Sequence, residues 1–258
     1  MPKDRPLILV TNDDGINAPG IRALIEVMKP LGDVCVVAPD SPQSGMGHAI
    51  TINDAIYGNR IHHNQDNSHI EYSCSGTPVD CVKLAVNEIL KRKPDLCVSG
   101  INHGSNSSIN VIYSGTMSAA VEAGTLGIPA IAFSLMDFSL EADFNPAKKY
   151  VRMIAQQTLK NGLPEGVVLN VNIPKLSTSE IRGIKVCRQA IGHWKGIFDK
   201  RTNPTGRDYY WLTGEFVSQD EGEDTDEKAL EQGYVSVVPT QFDLTAHHSI
   251  DELNKWEF

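Results

Sequence analysis

Two adjacent carboxylates follow the first apolar run of the chain, and they are the side chains best suited to chemistry. Asp13 and Asp14 lie within residues 12–15 (Asn-Asp-Asp-Gly), directly after the apolar residues 7–10. Neighbouring ionised carboxylates repel each other and resist burial, so a fold keeps such a pair mainly where a cation neutralises it. The alternative interpretation is an Asp-rich turn in which Asp14 or Asn17 caps the helix that follows.

Two further loops bring similar chemistry after later strands. Residues 40–48 follow the apolar segment 34–38, and residues 100–106 follow the apolar segment 96–98. Ligands of open α/β sheets bind beyond the carboxyl ends of the strands, so we expect both loops to meet the Asp pair. Oxygen donors without sulfur suit Mg²⁺ or Mn²⁺ and are poor for zinc. The sequence therefore predicts one divalent cation held by Asp13, Asp14, Asn102 and a hydroxyl from either Ser41 or Ser44.

A fourth segment offers a place for an anion. Ser114, Gly115 and Thr116 precede an Ala-rich helix, and free backbone amides at a helix amino terminus bind phosphate. Simple capping of the helix is the alternative. His48 and His103 flank the oxygen-rich loops, and each is either a substrate contact, a proton donor or a structural histidine. A cation, its bound water and an anion pocket together predict metal-assisted hydrolysis of a phosphate ester.

The elements that position these loops alternate between strands and helices. Apolar runs predict strands over residues 7–10, 34–38, 96–98, 129–135 and 166–171. Helical spacing and capping signals predict helices over residues 21–28, 78–90, 116–126 and 147–159. Strands that are apolar throughout and separated by helices indicate a mostly parallel sheet covered on both faces. The predicted fold class is α/β, a doubly wound, Rossmann-like three-layer sandwich.

Two stretches break this alternation. Residues 56–73 alternate between polar and apolar and predict a small antiparallel excursion. Residues 187–231 are polar and contain an aromatic cluster at 209–212, which predicts a hairpin in need of a partner surface, while the acidic run 220–227 is predicted to be a solvated loop. We divide the chain into a metal- and phosphate-binding core, residues 1–186, and a carboxy-terminal part, residues 187–258. The second part carries the extended β-hairpin and the closing strand and helix of the same domain.

Length, charge and cysteine content limit the function classes. The 258 residues carry a formal net charge of −9, which suits one large domain and argues against a nucleic-acid polymer or an anionic membrane as partner. The five cysteines are widely spread without a CxxC pair, so we expect buried free thiols. Residues 1–6 are too few and too polar for a signal peptide, and no apolar run reaches the ~20 residues needed to span a bilayer. We expect a cytoplasmic protein.

The motifs, in their order and spacing, resemble those of the SurE family, the survival-protein-E nucleotidases of bacteria and archaea. The resemblance rests on residues 10–15, 44–45, 100–106 and 113–120, and it extends from residue 7 to residue 239. It implies a Rossmann-like fold whose carboxy-terminal hairpin, residues 194–212, is exchanged between subunits of a homodimer or homotetramer. The implied activity is divalent-metal-dependent dephosphorylation of nucleoside 5′- and 3′-monophosphates, with polyphosphate as a further substrate.

The same resemblance implies roles for single residues. The ligands of one Mg²⁺ or Mn²⁺ per subunit fall on Asp13, Asp14, Ser44 and Asn102, which favours Ser44 over Ser41. The phosphate-facing positions fall on Asn12, Asn106, Ser114, Gly115 and Thr116. We expect Asp13 and Asp14 to be the catalytic residues, with Asp13 orienting or deprotonating the attacking water.

Three other function classes share parts of this pattern. A haloacid-dehalogenase-type phosphatase also places acids after its first strand, but one residue separates its two aspartates, unlike the adjacent pair here. A phospho-acceptor signalling domain needs an Asp after a middle strand, where this chain has Ser99 and Asn102. A non-catalytic nucleotide sensor would use the same pocket, and release of phosphate from AMP with added Mn²⁺ distinguishes the enzyme from the sensor.

Overall fold

The structure is a computed structural model that describes residues 5–65, 68–139 and 141–257. Its strands are β1 (Leu7–Thr11), β2 (Asp33–Pro39), β3 (Gly58–His63), β4 (His69–Cys74), β5 (Leu96–His103), β6 (Ala130–Leu135), β7 (Val167–Ile173), β8 (Ile184–Val186), β9 (Gly192–Thr202), β10 (Asp208–Ser218) and β11 (Val235–Gln241). Its α-helices are α1 (Pro19–Met28), α2 (Pro78–Leu84), α3 (Gly115–Thr125), α4 (Asn145–Asn161), α5 (Asp226–Glu231) and α6 (Ile250–Leu253). Residues 1–4, part of the predicted polar amino terminus, lie outside the described residues.

A mostly parallel sheet forms the centre of the molecule. Within the described ranges, nine strands pair in the order β3-β4-β2-β1-β5-β6-β7-β11-β8. The six strands from β4 to β7 run parallel, whereas β3 is antiparallel to β4 and β11 is antiparallel to β7. The predicted Rossmann-like α/β sandwich is therefore confirmed. The predicted excursion over residues 56–73 is real at β3, but β4 joins the main sheet parallel to β2.

Later strands join the sheet on both sides of β1. From β1 it builds outward through β2 and β4 on one side, and through β5, β6 and β7 on the other. The carboxyl ends of β1 and β5 therefore border a topological switch point, where open α/β sheets bind their ligands. The loops after these two strands begin at Asn12 and at Gly104, so this edge receives the Asp pair and the asparagine-rich loop.

Helices cover both faces of the sheet, which explains why its strands are apolar throughout. Helices α1 and α4 pack together on one face, and α2 and α3 pack together on the other. Successive residues of β1 point to opposite faces, so Ile8 and Val10 enter the first core and Leu9 enters the second. All five cysteines are buried and free, as expected. No helix in the described ranges is long and apolar enough to cross a membrane.

Helix α1 starts without a side-chain cap, so the alternative in which Asp14 or Asn17 caps this helix is wrong. The residue before the helix is Ala18, which makes no side-chain capping bond, and Pro19 occupies the first turn. Proline suits that position because its missing N–H has no partner within the helix. The Asp14 carboxylate is consequently left free to serve the sheet edge.

The extended hairpin predicted in the carboxy-terminal part is confirmed as the pair β9 and β10. Each strand has 11 residues, and the two pair only with each other in a separate two-stranded sheet. Large apolar side chains on the hairpin are exposed, among them Ile197, Phe198, Trp211 and Leu212. A two-stranded ribbon is marginal by itself, so this surface has the character of one that needs a partner.

Candidate active site

Asp13 is a buried carboxylate at the start of α3. Its side chain is only 3% exposed, and the Thr116 hydroxyl donates a hydrogen bond to its Oδ1. Burial, together with the charge of Asp14, raises the pKa of Asp13 to about 6, against the lowering effect of the Thr116 hydrogen bonds. A Cβ on Gly115 would lie 2.8 Å from the Asp13 Cβ, so glycine is needed for this close approach. Within the described residues, no basic side chain forms an ion pair with Asp13.

Asp14 lies beside the third loop. Its Oδ2 accepts a hydrogen bond from the His103 backbone N–H at 3.2 Å, and His103 Nδ1 lies 3.4 Å from the same oxygen. The His103 ring meets the edge of Phe144, with the ring centroids 4.9 Å apart. These contacts join the loop after β1 to the end of β5, as expected from the predicted sheet.

The remaining predicted metal ligands offer oxygen atoms at the same edge. Asn102 uses its Nδ2 on the carbonyls of His103 and Gly104, at 3.0 and 2.9 Å, which leaves its Oδ1 without a hydrogen bond among the described residues. Ser44 is exposed and lines the same pocket as Asp13 and Asn102. Ser41 instead donates to Asp40 and does not line this pocket. The structure thus favours Ser44 as the hydroxyl at this site.

The donor set fits a hard divalent cation. Carboxylate, hydroxyl and amide oxygens suit Mg²⁺ or Mn²⁺. Within the part of the chain that the structure describes, no group of three or more His, Cys, Asp or Glu side chains could hold a metal, so a cation at this edge would take Ser and Asn oxygens beside the two acids. Asn12 is fully buried, and its Oδ1 lacks a hydrogen-bond partner while its Nδ2 donates to the Gly15 carbonyl at 2.9 Å. An orphaned buried oxygen and two adjacent acids fit a site for a cation: Asp14 has only the His103 ring as a basic neighbour among the described residues, and Asp13 has none.

The start of α3 presents hydroxyl and amide groups beside the acids. Ser114 caps the helix, because its Oγ accepts a hydrogen bond from the Met117 N–H at 3.0 Å. The Ser114 hydroxyl proton stays available to donate to a ligand. The Thr116 hydroxyl, by contrast, already donates to Asp13, and the Thr116 backbone N–H also lies against that carboxylate. Of the predicted phosphate-facing residues, Ser114 lines the pocket, and Gly115 and Thr116 lie behind it.

Asn106 is held rigidly in a network of amides. Its backbone N–H donates to Asn172 Oδ1 at 2.7 Å, and its carbonyl accepts from Asn170 Nδ2 at 2.8 Å. Its own Nδ2 donates to Ser134 Oγ at 2.9 Å. Asn106 lines the pocket, whereas Asn12 lies beneath it in full burial. The ends of β6 and β7 therefore position the loop that was predicted to face phosphate.

The two histidines of the predicted site have different environments. His103 lines the pocket beside Asp14, so it is a candidate substrate contact. His48 does not line it, since its Nε2 lies 3.1 Å from Glu122 Oε2. Glu122 also accepts a hydrogen bond from Lys83 Nζ at 2.6 Å. His48 therefore anchors the second loop to α3.

The predicted loops and parts of the carboxy-terminal region enclose one pocket of about 440 Å³. Asp13, Ser44, Asn102, Asn106 and Ser114 all line it, which brings together five of the predicted site residues. Sequence reasoning missed several other lining residues. These come from the turn after β5, the hairpin and α5, and they are Ser107, Asn110, Trp194, Phe216 and Glu227.

The acidic run was predicted to be a solvated loop, and that prediction is wrong for its last residues. Asp226 is fully buried and accepts hydrogen bonds from the backbone N–H groups of Ser108 at 2.8 Å and Ala190 at 2.9 Å. Glu227 accepts a hydrogen bond from the Ser107 hydroxyl, and burial raises the pKa of Glu227. Thr225 caps α5. A Thr followed by acids is a helix-start signal, and it could have indicated this helix from sequence.

Comparison with known proteins was made on the whole chain. Residues 8–196 match the family model described as survival protein SurE. A protein named 5′-nucleotidase SurE from Christiangramia forsetii is 73% identical over 256 residues, covering 99% of this chain and 98% of its own. A protein of the same name from Bacteroides fragilis is 50% identical, with complete coverage of both chains. The crystal structure of the SurE protein from Aquifex aeolicus superposes with a TM-score of 0.82 at 41% identity, covering 96% of this chain and 98% of that one.

Proposed function

Because this chain belongs to the SurE family, we propose that it is a divalent-metal-dependent 5′-nucleotidase, a phosphoric monoester hydrolase of the acid-type metallophosphatase kind. Its proposed substrates are nucleoside 5′- and 3′-monophosphates, which it converts to nucleoside and phosphate, with polyphosphate as a further substrate. The family and the 5′-nucleotidase names of relatives that span the full chain support the reaction class.

One observation carries the proposal for the site. The adjacent acids Asp13 and Asp14, an unbonded asparagine oxygen and a serine hydroxyl lie at the switch point of the sheet, next to a capped helix start. We propose Asp13, Asp14, Ser44 and Asn102 as the ligands of one Mg²⁺ or Mn²⁺ per subunit. Bound there, the cation supplies a Lewis acid and lowers the pKa of the water that it binds.

The chain's own residues bind and orient the substrate in this proposal. Ser114 donates its hydroxyl proton to a phosphate oxygen, while Asn106, fixed by the amide network behind it, defines the wall of the phosphate site. Gly115 and Thr116 at the start of α3, and Asn12 beneath the pocket, complete that site from behind, where a helix amino terminus favours negative charge. Asp13 orients or deprotonates the attacking water.

Oligomerisation and location complete the proposal. We propose a homodimer or homotetramer in which the hairpin of one subunit finds its cover on another, and the exposed apolar side chains of β9 and β10 support this. Five buried free thiols support a reducing compartment, the cytoplasm. The net charge of −9 supports small-molecule substrates over nucleic-acid polymers or membranes.

Phosphate release from a substrate panel tests this function. The panel contains 5′-AMP, 3′-AMP and polyphosphate, each with Mg²⁺, with Mn²⁺ and with EDTA. We expect phosphate from 5′-AMP with either cation and none with EDTA. Phosphate release that persists in EDTA would refute the metal dependence, and binding of AMP without any release would favour a nucleotide sensor.

A further inference from the structure

We propose that the base of the hairpin and the start of α5 form a nucleoside subsite, in which Trp194 and Phe216 take the base and Glu227 accepts hydrogen bonds from the sugar hydroxyls. The inference rests on the proposed nucleotidase function for its substrate class. It adds residues of the carboxy-terminal part, which sequence analysis had assigned to the hairpin and to a solvated loop.

The pocket lining is of two chemical kinds. Asp13, the asparagine amides and the Ser114 hydroxyl suit a cation and a phosphate. At the base of the hairpin, the neighbouring aromatic side chains Trp194 and Phe216 form the second kind, the aromatic end. A nucleoside monophosphate has the same division, with an anionic phosphate, a hydroxylated sugar and a flat apolar base. At about 440 Å³, the pocket is within the usual size range for small-molecule sites.

The aromatic end is held in place before any ligand binds. Trp194 of β9 and Phe216 of β10 are cross-strand partners, with ring centroids 6.1 Å apart in an edge-on arrangement. The Trp194 Nε1–H donates to Asn110 Oδ1 at 2.7 Å, which ties the indole to the turn after β5. A Cβ on Gly192 would lie 2.4 Å from the Phe216 ring, so glycine makes room for that ring.

The same end keeps aromatic surface accessible to a ligand. Trp194 remains 47% exposed although its indole nitrogen is bonded. A third aromatic side chain of the lining, Phe138, is 79% exposed, but its ring lies against Gly104, whose carbonyl accepts a hydrogen bond from Asn102, so it is not counted in the aromatic end. Bases stack on accessible aromatic faces without a strong preference for one base, because every base has a π-face. The subsite therefore suits several nucleosides.

Glu227 places a hydrogen-bond acceptor beside the aromatic end. Its Oε1 accepts from the Ser107 hydroxyl, and its Oε2 has no hydrogen-bond donor among the described residues. The Ser107 hydroxyl is itself 2.6 Å from the Ser105 hydroxyl, so this side of the pocket is ordered by a chain of hydroxyl groups. An acidic side chain that accepts from ribose hydroxyls is a common device in Rossmann-like nucleotide sites.

Adenosine tests the subsite without any phosphate chemistry. Its dissociation constant is measured by calorimetry for the full-length protein and for Trp194→Ala, Trp194→Phe and Glu227→Ala. Trp211→Ala is the matched control, because this tryptophan is an exposed residue of the same hairpin outside the pocket. Melting temperatures verify that each variant is folded, and sedimentation verifies its assembly.

We expect Trp194→Ala to weaken adenosine binding about tenfold, Trp194→Phe to restore most of it, and Trp211→Ala to leave it unchanged. Glu227→Ala is expected to weaken binding of adenosine about tenfold or more and to leave 2′,3′-dideoxyadenosine unaffected, since that compound lacks both hydroxyls. Equal binding by Trp194→Ala and Trp211→Ala would overturn the base assignment. An equal loss for both nucleosides in Glu227→Ala would overturn the sugar assignment, and wild type that binds no adenosine would overturn both.

Phosphate release from AMP is recorded on the same wild-type preparation. Adenosine binding that follows the expected pattern without phosphate release would retain the nucleoside subsite and refute the hydrolase. Phosphate release with adenosine binding unaffected by every pocket variant would retain the hydrolase and refute the subsite. The two proposals therefore fail separately.

Discussion

The sheet edge and the hairpin differ in the kind of side chain that each buries or exposes. At the sheet edge, polar groups such as Asp13 and Asn106 are buried and hydrogen-bonded to other residues of the chain. On the hairpin, apolar side chains such as Phe198 and Leu212 are exposed. This difference supports the proposals that the first region binds a small charged ligand and the second meets another subunit.

Asp226 is where the two regions meet. Its two carboxylate oxygens accept from the turn that carries the pocket and from the segment that leads into β9. A buried carboxylate satisfied by backbone N–H groups fixes both segments at once. The hairpin is therefore attached to the site at its base, although β9 and β10 pair only with each other.

Asp13→Asn removes a carboxylate from the sheet edge, and it has the largest expected effect of the changes considered. We expect turnover of 5′-AMP to fall by orders of magnitude with the fold intact, because a neutral amide binds a divalent cation far less well than a carboxylate. Phosphate release and thermal unfolding measure the two effects. Asp54→Asn, an exposed acid outside the pocket, is the control. Activity of Asp13→Asn within a few-fold of wild type would remove this residue from the reaction.

Asp226→Ala removes the hydrogen bonds that link the sheet edge to the base of the hairpin. It leaves the backbone N–H groups of Ser108, Ala190 and Glu227 without their acceptor, and we expect it to lower the free energy of unfolding by about 2–5 kcal/mol. Denaturant unfolding measures the loss. Asp224→Ala, in the same acidic run but with an exposed side chain, should leave the stability nearly unchanged. Equal stability of the two variants would show that the buried contacts of Asp226 do not fasten the hairpin.

The pH dependence of stability tests the burial of the Asp13 carboxyl group at the sheet edge. In the folded metal-free protein, burial raises the pKa of Asp13 from 3.8 to about 6. The protonated form is therefore favoured by folding, and its stabilising contribution is present below pH 3.8 and lost as the pH rises through 6. The loss amounts to at most about 3 kcal/mol.

Unfolding of wild type and Asp13→Asn with EDTA at pH 5 and pH 8 measures this effect. The stability of the variant relative to wild type should increase toward pH 8, because the amide has no charge to bury. Addition of Mn²⁺ should reduce that difference by stabilising wild type. A constant difference between the two proteins across this pH range would contradict the assigned cause.

The double variant Phe198→Ser and Leu212→Ser tests whether the exposed hairpin surface is an interface between subunits. It has the smallest expected effect on folding. The two residues are cross-strand partners on the exposed ribbon. Each replacement is expected to change the stability of the core by less than ~0.5 kcal/mol. Self-association measured by sedimentation should nevertheless weaken. Unchanged self-association would show that this part of the hairpin is not an interface between subunits.

Much of the fold could be predicted from sequence because its signals are local. The apolar runs that became β1, β2, β5 and β6, and the helical spacing of α4, report burial directly. Strand β4, which lies between β3 and β2, was harder to predict, because its alternating pattern is the same whether it joins the main sheet or a separate hairpin. Pairing partners are a tertiary property that spacing does not contain.

The candidate site could be predicted only where its residues follow strands. Asp13, Asn102 and Ser114 belong to strand ends and a helix start, which topology brings together. Glu227 and Trp194 come from a distant segment, and only the three-dimensional path of the chain places them in the pocket. Asp226 was misassigned because charge in a polar stretch usually indicates exposure, whereas here backbone donors compensate its burial.

The central claim is that Asp13 and Asp14 share one oxygen-coordinated cation. Crystals grown with Mn²⁺, with diffraction recorded at the manganese absorption edge, test it most directly. The account predicts one anomalous peak per subunit in contact with oxygens of Asp13, Asp14, Ser44 and Asn102. A map without a peak at this edge of the sheet, or with manganese bound elsewhere while the two carboxylates remain apart from it, would contradict the account.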